Sequence, residues 1–316
     1  MIEPTEATWA QIAAFLWPGS HLVRTWPLSG GLSARMQAIA AAGAGEERHQ
    51  AVVRWYGSKS GLDGAALGRE YRLLRALHAA GLSVPDPLCF DDSSSRLPAP
   101  YLAMALVPGK MCFTPTDLPG HIDQLATQLA RIHQLDTAPL TFLPRSAGCT
   151  ELAHPAPAAE PAFAAPALWQ RLRAAAPLPK PNRPVLLHGD FWPGNSLWVD
   201  DRLSAVIDWE DAQLGEPLQD LAQSRSEISW IFGRAALAQF TQTYQALQPL
   251  DYSALPYWDL CAALRMLRLA GNDLAGMAAF FLDYDRPDIT AASIKRDLLA
   301  FIAEAQKSLG EGAPPS

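Results

Sequence analysis

The 316-residue chain has little cysteine. Its four residues, Cys89, Cys112, Cys149 and Cys261, lie far apart and form no C-x-x-C pair. That spacing argues against a zinc cage or a disulfide framework and leaves buried free thiols as the expectation. Long apolar runs are also missing. The most apolar stretch, 260–282, is interrupted by Arg265 and Arg268, and no run reaches the about 18 residues of a membrane span. The N-terminal MIEPTEATWAQIAAFLW has no basic segment ahead of an apolar one, so no signal peptide is expected. Basic charge is short as well, with 25 Lys plus Arg against 32 Asp plus Glu. A general nucleic-acid binder would carry a basic face. The expectation is a cytoplasmic protein without membrane or nucleic-acid partners.

Hydrophobic residues make up 49% of the chain and charged residues 18%, an ordinary globular composition. The length suits two domains or one bilobal unit. Residues 22–28 read as a strand, and 35–42 with 51–56 as a hairpin around a polar stretch. In LGREYRLLRALHAAG, Leu67, Tyr71, Leu74 and Leu77 recur at helical steps, and Gly81 can end the helix. VPDPLCFDD and APYLAMALVPG suggest two more strands, giving β-β-β-α-β-β. After residue 109 the chain turns helical, beginning with IDQLATQLARIHQLD. Residues 139–184 hold ten prolines, which leaves an irregular segment and short helices between loops both open. VLLHGD reads as a strand, SLWV and LSAVID as a hairpin, and the rest from about 217 as helices. The expected division is 1–107 and 108–316.

The informative stretch is VLLHGDFWPGNSLWVDDRLSAVIDWED, residues 185–211. His188, Asp190 and Asn195 form H-x-D-x-x-x-x-N, and Asp208 follows at the end of the hairpin. Asp190, just past a strand, is free to orient a substrate hydroxyl or accept its proton. The Asn195 carbonyl and the Asp208 carboxylate are hard oxygen donors of the kind Mg²⁺ takes when phosphates supply further ligands. Phosphoryl transfer needs such an arrangement, because its catalysis is mostly positioning and charge neutralisation. Any one of these residues alone would read as a turn residue. The order and spacing of all four are hard to reach by accident.

HGDFWPGNSLW followed by VIDWEDAQLGEPLQDLA resembles the aminoglycoside phosphotransferase and choline kinase superfamily, the small-molecule relatives of protein kinases. The resemblance covers about 22–270 and is most specific over 185–221. It implies a bilobal α+β fold of protein-kinase type, with an antiparallel β-sheet N-lobe carrying one helix, a mainly helical C-lobe, and ATP in the cleft. It implies Asp190 as catalytic aspartate, Asn195 and Asp208 as Mg²⁺ ligands, His188 as a structural member of the catalytic loop, and Asp220 as an anchor tying the next helix to that loop. LSGGLSARM falls where the nucleotide-binding loop belongs, with Gly30 and Gly31 letting backbone N–H groups approach phosphates and Ser29 and Ser33 adding hydroxyls. The third strand, AVVRWY, offers Arg54 where a kinase has lysine, with Glu70 as its ion-pair partner. Arg54 would neutralise the α- and β-phosphates through a planar fork rather than an ammonium. The hinge would be 99–110, with adenine held near Met104, Ala105 and Val107. His133 reads as a packing or polar-contact residue.

Acidity is concentrated in the C-terminal part: 18 acids against 9 Lys plus Arg over 185–316, and 14 against 16 over 1–184. A negative cleft attracts cations. Glu210, Asp211, Glu216 and Glu227, with Trp230, Tyr257 and Trp258 as candidate faces, make an amino sugar or amino alcohol the first candidate acceptor and a neutral sugar the next. The expected activity is therefore ATP-dependent O-phosphorylation of a small-molecule hydroxyl. A nucleotide-binding pseudokinase without transfer activity is the alternative, with Arg54 as its mark. A protein kinase fits less well: Gly189 stands in place of the H-R-D arginine, and no A-P-E segment follows Asp208.

Overall fold

The computed structural model describes residues 4–28, 34–45, 47–56, 64–176, 178, 181–271 and 273–311. The chain divides into two compact units. The first comprises Met1–Pro108 with Ser204–Glu210, and the second Gly109–Leu203 with Asp211–Ser316. Residues 204–210 thus group with the first unit, whereas the sequence reading put them in the second.

The first unit opens with α1 (Glu6–Leu16), a second helix in a region where the sequence suggested one. Thr5 starts it with a reciprocal cap: its hydroxyl accepts the Thr8 N–H at 3.4 Å, and the Thr8 hydroxyl accepts the Thr5 N–H at 3.2 Å. The apolar stripe is only Trp9, Ile12 and Ala13, too short to stand out as a period. Five strands follow: β1 (His21–Pro27), β2 (Arg35–Ala42), β3 (Arg48–Trp55), β4 (Pro87–Asp91) and β5 (Tyr101–Ala105), with α2 (Gly64–Ala79) between β3 and β4. They form one antiparallel sheet in the order β1-β2-β3-β5-β4. Gly81, at φ +75°, lets the chain leave α2, and Leu82 N–H bonds back to the Leu77 carbonyl at 3.1 Å.

Side chains alternate across a strand. Ile39, Ala41, Ala51, Val53, Trp55, Tyr101 and Ala103 share a core with Trp9 and Ile12 of α1. Residues of the other parity, Val52 and Arg54 among them, therefore lie on the opposite face of the sheet. The buried stripe of α2 is Leu67, Glu70, Leu73, Leu74 and Leu77, and its one polar member, Glu70, meets Arg54.

The second unit contains α3 (Leu118–His133), α4 (Ala165–Ala175), α5 (Leu218–Ile231), α6 (Arg234–Leu247), α7 (Leu255–Ala270), α8 (Leu274–Phe280) and α9 (Ala291–Glu311). β6 (Val185–Leu187) pairs with β9 (Gln213–Gly215), and β7 (Ser196–Val199) leads into β8 (Arg202–Val206), whose residues from Ser204 onward group with the first unit. Helix α5 packs on α6, α7 and α9. A bidentate pair joins it to α7: Arg225 Nε and Nη2 each lie 3.0 Å from an oxygen of Asp259. The proline-rich stretch holds 3₁₀ turns at Ala138–Leu140, Thr150–Ala153 and Pro161–Phe163 ahead of α4. Phe163, Leu168 and Leu172 anchor it in the core, and Arg268 of α7 binds the Glu151 carboxylate and the Pro155 carbonyl. Among the described residues no helix is long and apolar enough to cross a membrane.

Candidate active site

In the first unit the candidate residues gather around one guanidinium. Arg54 is 5% exposed. Its Nη1 donates to Glu70 Oε1 at 2.8 Å and lies 3.4 Å from Asp208 Oδ1. Its Nη2 donates to Glu210 Oε2, which also accepts from the Tyr56 hydroxyl at 3.1 Å. Burial works against the charge on Arg54, but Glu70, Asp208, Tyr56 and Glu210 together raise its pKa. Burial pushes Glu70 up to about 7, helped by Asp208 and Glu210 and opposed by Arg54. The sequence reading expected Glu70 as the partner of Arg54, and the structure pairs them. Asp208 and Glu210 are two further carboxylates around the same guanidinium.

The segment that supplies two of these carboxylates is tied down locally. Val206 N–H donates to the Ser83 carbonyl at 2.8 Å, and the Ser204 hydroxyl to the Pro108 carbonyl at 2.7 Å. Asp208 then takes φ +66°, a backbone region that costs a non-glycine residue about 1 kcal/mol or more. Such strain persists only where the surroundings impose it.

In the second unit the loop after β6 carries His188, Gly189 and Asp190. Asp220 of α5 holds its backbone: Oδ2 accepts the His188 N–H at 2.6 Å and Oδ1 the Gly189 N–H at 3.0 Å. The fully buried His188 ring accepts the Asp190 N–H on Nδ1 at 3.2 Å. His133 completes the anchor. Its Nε2 lies 3.3 Å from Asp220 Oδ2 and its Nδ1 2.5 Å from the Tyr244 hydroxyl. A proton on Nε2 satisfies both contacts, with Tyr244 donating to Nδ1. Gly189 has φ +83°, and a Cβ there would sit 2.3 Å from the Asp211 carbonyl oxygen. Only glycine fits.

Three side chains converge on the Asp190 carboxylate. Asn195 Nδ2 donates to Oδ2 at 2.9 Å and also to the Asp190 carbonyl at 2.9 Å. Gln223 Nε2 donates to Oδ1 at 2.6 Å. Arg265 Nη2, from α7, donates to the same Oδ1 at 2.9 Å. Glu227 stands close enough to feel both charges: burial raises its pKa to about 8, Arg265 opposes the rise and Asp190 adds to it.

The sequence reading missed Gln223 and Arg265. A signal for the first existed. Asp220, Gln223, Ser224 and Glu227 recur at the three- and four-residue steps of one helix face, and Ser224 donates to the Phe191 carbonyl at 2.7 Å. That stripe addresses the loop 188–191 residue by residue. Arg265 carried no comparable signal, because α7 is otherwise an apolar helix and the pairing spans 75 residues.

Ser29, Gly30, Gly31 and Ser33 lie outside the described residues. Met104 is buried in β5. Ala105 N–H donates to the Asp86 carbonyl at 2.8 Å and Leu106 N–H to the Gln50 carbonyl at 3.1 Å. The Ala105 N–H is therefore spent within the sheet. Of the acids expected to attract a cation, Glu210 is paired with Arg54, Glu216 is 7% exposed and accepts twice from Asn182, Glu227 stands beside Arg265, and Asp211 is exposed. Trp230, Tyr257 and Trp258 are buried at 5%, 3% and 6% exposure and belong to the core.

For a divalent cation the donor types fit. Asn195, in the second unit, spends its amide nitrogen on Asp190 and keeps its oxygen as a hard donor, and Asp208, in the first unit, carries a carboxylate. No group of three or more His, Cys, Asp or Glu able to hold a metal occurs among the described residues. A cation bound by donors of this kind would depend on water and phosphate oxygens for the rest of its shell, as Mg²⁺ does.

A family model described as the phosphotransferase enzyme family matches residues 27–264. Among curated proteins, the chain is similar to acyl-CoA dehydrogenase family member 10 of Mus musculus. The two are 30% identical over 180 residues, covering 50% of this chain and 16% of that protein. The chain spans less than a third of the length of the curated relatives it matches. Among solved structures, it is similar to a macrolide 2′-phosphotransferase from Brachybacterium faecium, at 22% identity and TM-score 0.57, with 97% of this chain and 98% of that one covered. It is also similar to a thermostable mutant of an aminoglycoside phosphotransferase in ternary complex with AMP-PNP and hygromycin B, at 18% identity and TM-score 0.61, with 96% and 99% covered. These likenesses establish a kinase-like phosphotransferase fold. The family match runs from residue 27 to residue 264, through H-x-D-x-x-x-x-N and the aspartate at 208, and the chain belongs to the phosphotransferase enzyme family.

Proposed function

We propose that this protein moves the γ-phosphate of ATP to a hydroxyl group of a small molecule. The observation that carries the reading is the Asp190 carboxylate, held by Asn195, Gln223 and Arg265 on a loop whose backbone Asp220 fixes. A carboxylate held in one orientation is what an acceptor hydroxyl needs. Asp190 accepts the hydrogen bond of the acceptor O–H. As the acceptor oxygen bonds to the γ-phosphorus and the bond to the ADP oxygen breaks, the proton passes to Asp190 and then to solvent. Asn195 and Asp208 are the residues that would hold Mg²⁺, which supplies charge neutralisation on the phosphates when bound. The AMP-PNP complex of one relative supports a nucleoside triphosphate as donor.

The acceptor belongs to the hydroxyl-bearing small molecules as a class. Of the groups that favoured a cationic acceptor, Glu210, Glu216 and Glu227 are engaged internally and the three aromatics are buried, whereas Asp211 is exposed, so support for that narrower choice rests on Asp211 alone.

The test is an ATP-consumption assay with Mg²⁺ against a panel of aminoglycosides, amino alcohols and neutral sugars, run on the wild type and Asp190→Asn. Transfer to at least one acceptor, lost by orders of magnitude in the variant while ATP still binds, is the expected result. Full turnover in Asp190→Asn would sink the assignment. The enclosure of Arg54 by three carboxylates favours a second reading, nucleotide binding without transfer. Calorimetric ATP binding with no transfer to any acceptor, or to water, would move that reading to first.

A further inference from the structure

We propose that Arg265 is a positioning residue for the phosphotransfer, acting through Asp190, and that it selects Oδ2 of that carboxylate as the reacting oxygen. The inference rests on the function proposed above. Each oxygen of a carboxylate accepts about two hydrogen bonds. Oδ1 receives two, from Gln223 Nε2 at 2.6 Å and Arg265 Nη2 at 2.9 Å. Oδ2 receives one, from Asn195 Nδ2 at 2.9 Å. The position left for an acceptor hydroxyl is therefore on Oδ2, on the side of Asn195. Without Arg265, Oδ1 regains an open position and the carboxylate loses one of the two donors that fix its rotation.

The two donors on Oδ1 come from different helices, α5 and α7. A rotation that keeps one bond strains the other, so the pair defines an orientation that neither defines alone.

Arg265 is also poorly suited to a purely structural role. Its side chain keeps 28% of its surface exposed, and that of Asp190 keeps 27%. Exposed pairs contribute little to stability. The Arg225–Asp259 pair on the same two helices is more deeply buried and already joins them. The effect of losing Arg265 should therefore fall on turnover rather than on folding.

The experiment measures Mg²⁺-ATP hydrolysis, with water as acceptor, for the full-length wild type, Arg265→Ala, Arg265→Lys and Asp190→Asn. ATP affinity is measured by calorimetry, and crystal structures of the wild type and Arg265→Ala are determined. The expected result is at least a tenfold fall in kcat for Arg265→Ala, ATP affinity within twofold of wild type, partial recovery in Arg265→Lys, and an Asp190 carboxylate rotated away from its wild-type orientation. An Arg265→Ala chain with wild-type kcat, or with Asp190 in an unchanged orientation, overturns the positioning role. Wild-type turnover in Asp190→Asn instead overturns the phosphotransfer reading, so the two failures are told apart. Should Arg265→Ala fold poorly, Arg265→Gln, which can keep one donor but not the charge, is read by the same criteria.

Discussion

The Asp220 carboxylate accepts the backbone N–H of Gly189 at 3.0 Å while its second oxygen takes the N–H of His188 at 2.6 Å. One side chain on α5 thus satisfies two consecutive amides of a loop that cannot pair them in a sheet or helix. Buried N–H groups left without a partner cost about 1–3 kcal/mol each. Asp220→Ala would unpair both and leave His133 without its acceptor. A loss of about 3–5 kcal/mol in urea unfolding is expected. Asp220→Asn, which keeps one acceptor, should lose less. Equal stability of Asp220→Ala and wild type would show that the loop is held by other means.

Arg54 is the only cation among Glu70, Asp208 and Glu210 in the contacts described above. Arg54→Met would leave Glu70 buried with no counter-charge, at a cost of about 3 kcal/mol at neutral pH. The pH dependence has a definite sign. Glu70 already titrates at about 7 when folded, above its ordinary value of 4.5, and loss of Arg54 raises it further. An acid with a raised folded pKa is carried protonated at low pH without penalty. It destabilises the fold progressively as pH climbs above the unfolded value. The variant should therefore fall further below wild type at pH 8 than at pH 6, as read by chemical denaturation at both.

His121 is 2% exposed, stacks on Trp198 with ring centroids 3.7 Å apart, and has no hydrogen-bond partner for either ring nitrogen among the described residues. Burial lowers its pKa from 6.5 to about 4. The folded chain keeps the ring neutral while the unfolded chain protonates it below pH 6.5. Stability is therefore unaffected above that pH and declines as pH falls from 6.5 toward 4. This one residue should account for about 2 kcal/mol lost between pH 7.5 and pH 5. His121→Phe removes the titrating group and should flatten that part of the stability profile. An unchanged slope in the variant would assign the acid sensitivity elsewhere.

The second unit's loop was legible because its chemistry is local. His188, Asp190 and Asn195 lie within eight residues, so their spacing carried the pattern, and the resemblance to the family supplied Asp220 on the next helix. The β-β-β-α-β-β order was legible from alternation and from Gly81. What remained hidden depends on partners far apart in the chain. Gln223 is read only once Asp220 is known to face the loop, since the helical step then points to it. Arg265 meets Asp190 across 75 residues, and on an apolar helix it looked like an interruption. Acidic residues counted along the chain looked like a patch, but burial and pairing decide whether a charge faces solvent.

The first unit closes on itself through residues made late. Arg54 and Glu210 are 156 positions apart, and the segment 204–210 that brings Asp208 and Glu210 to the sheet follows 95 residues of the other unit. A ribosome releasing this chain from its N-terminus presents β3 and α2 long before the last acidic partners of Arg54 exist. The sheet can pair early, but its buried guanidinium stays incompletely neutralised until the first 95 residues of the second unit have been synthesised. A fragment ending at Pro108 would hold all five strands and still lack two of the three carboxylates around Arg54.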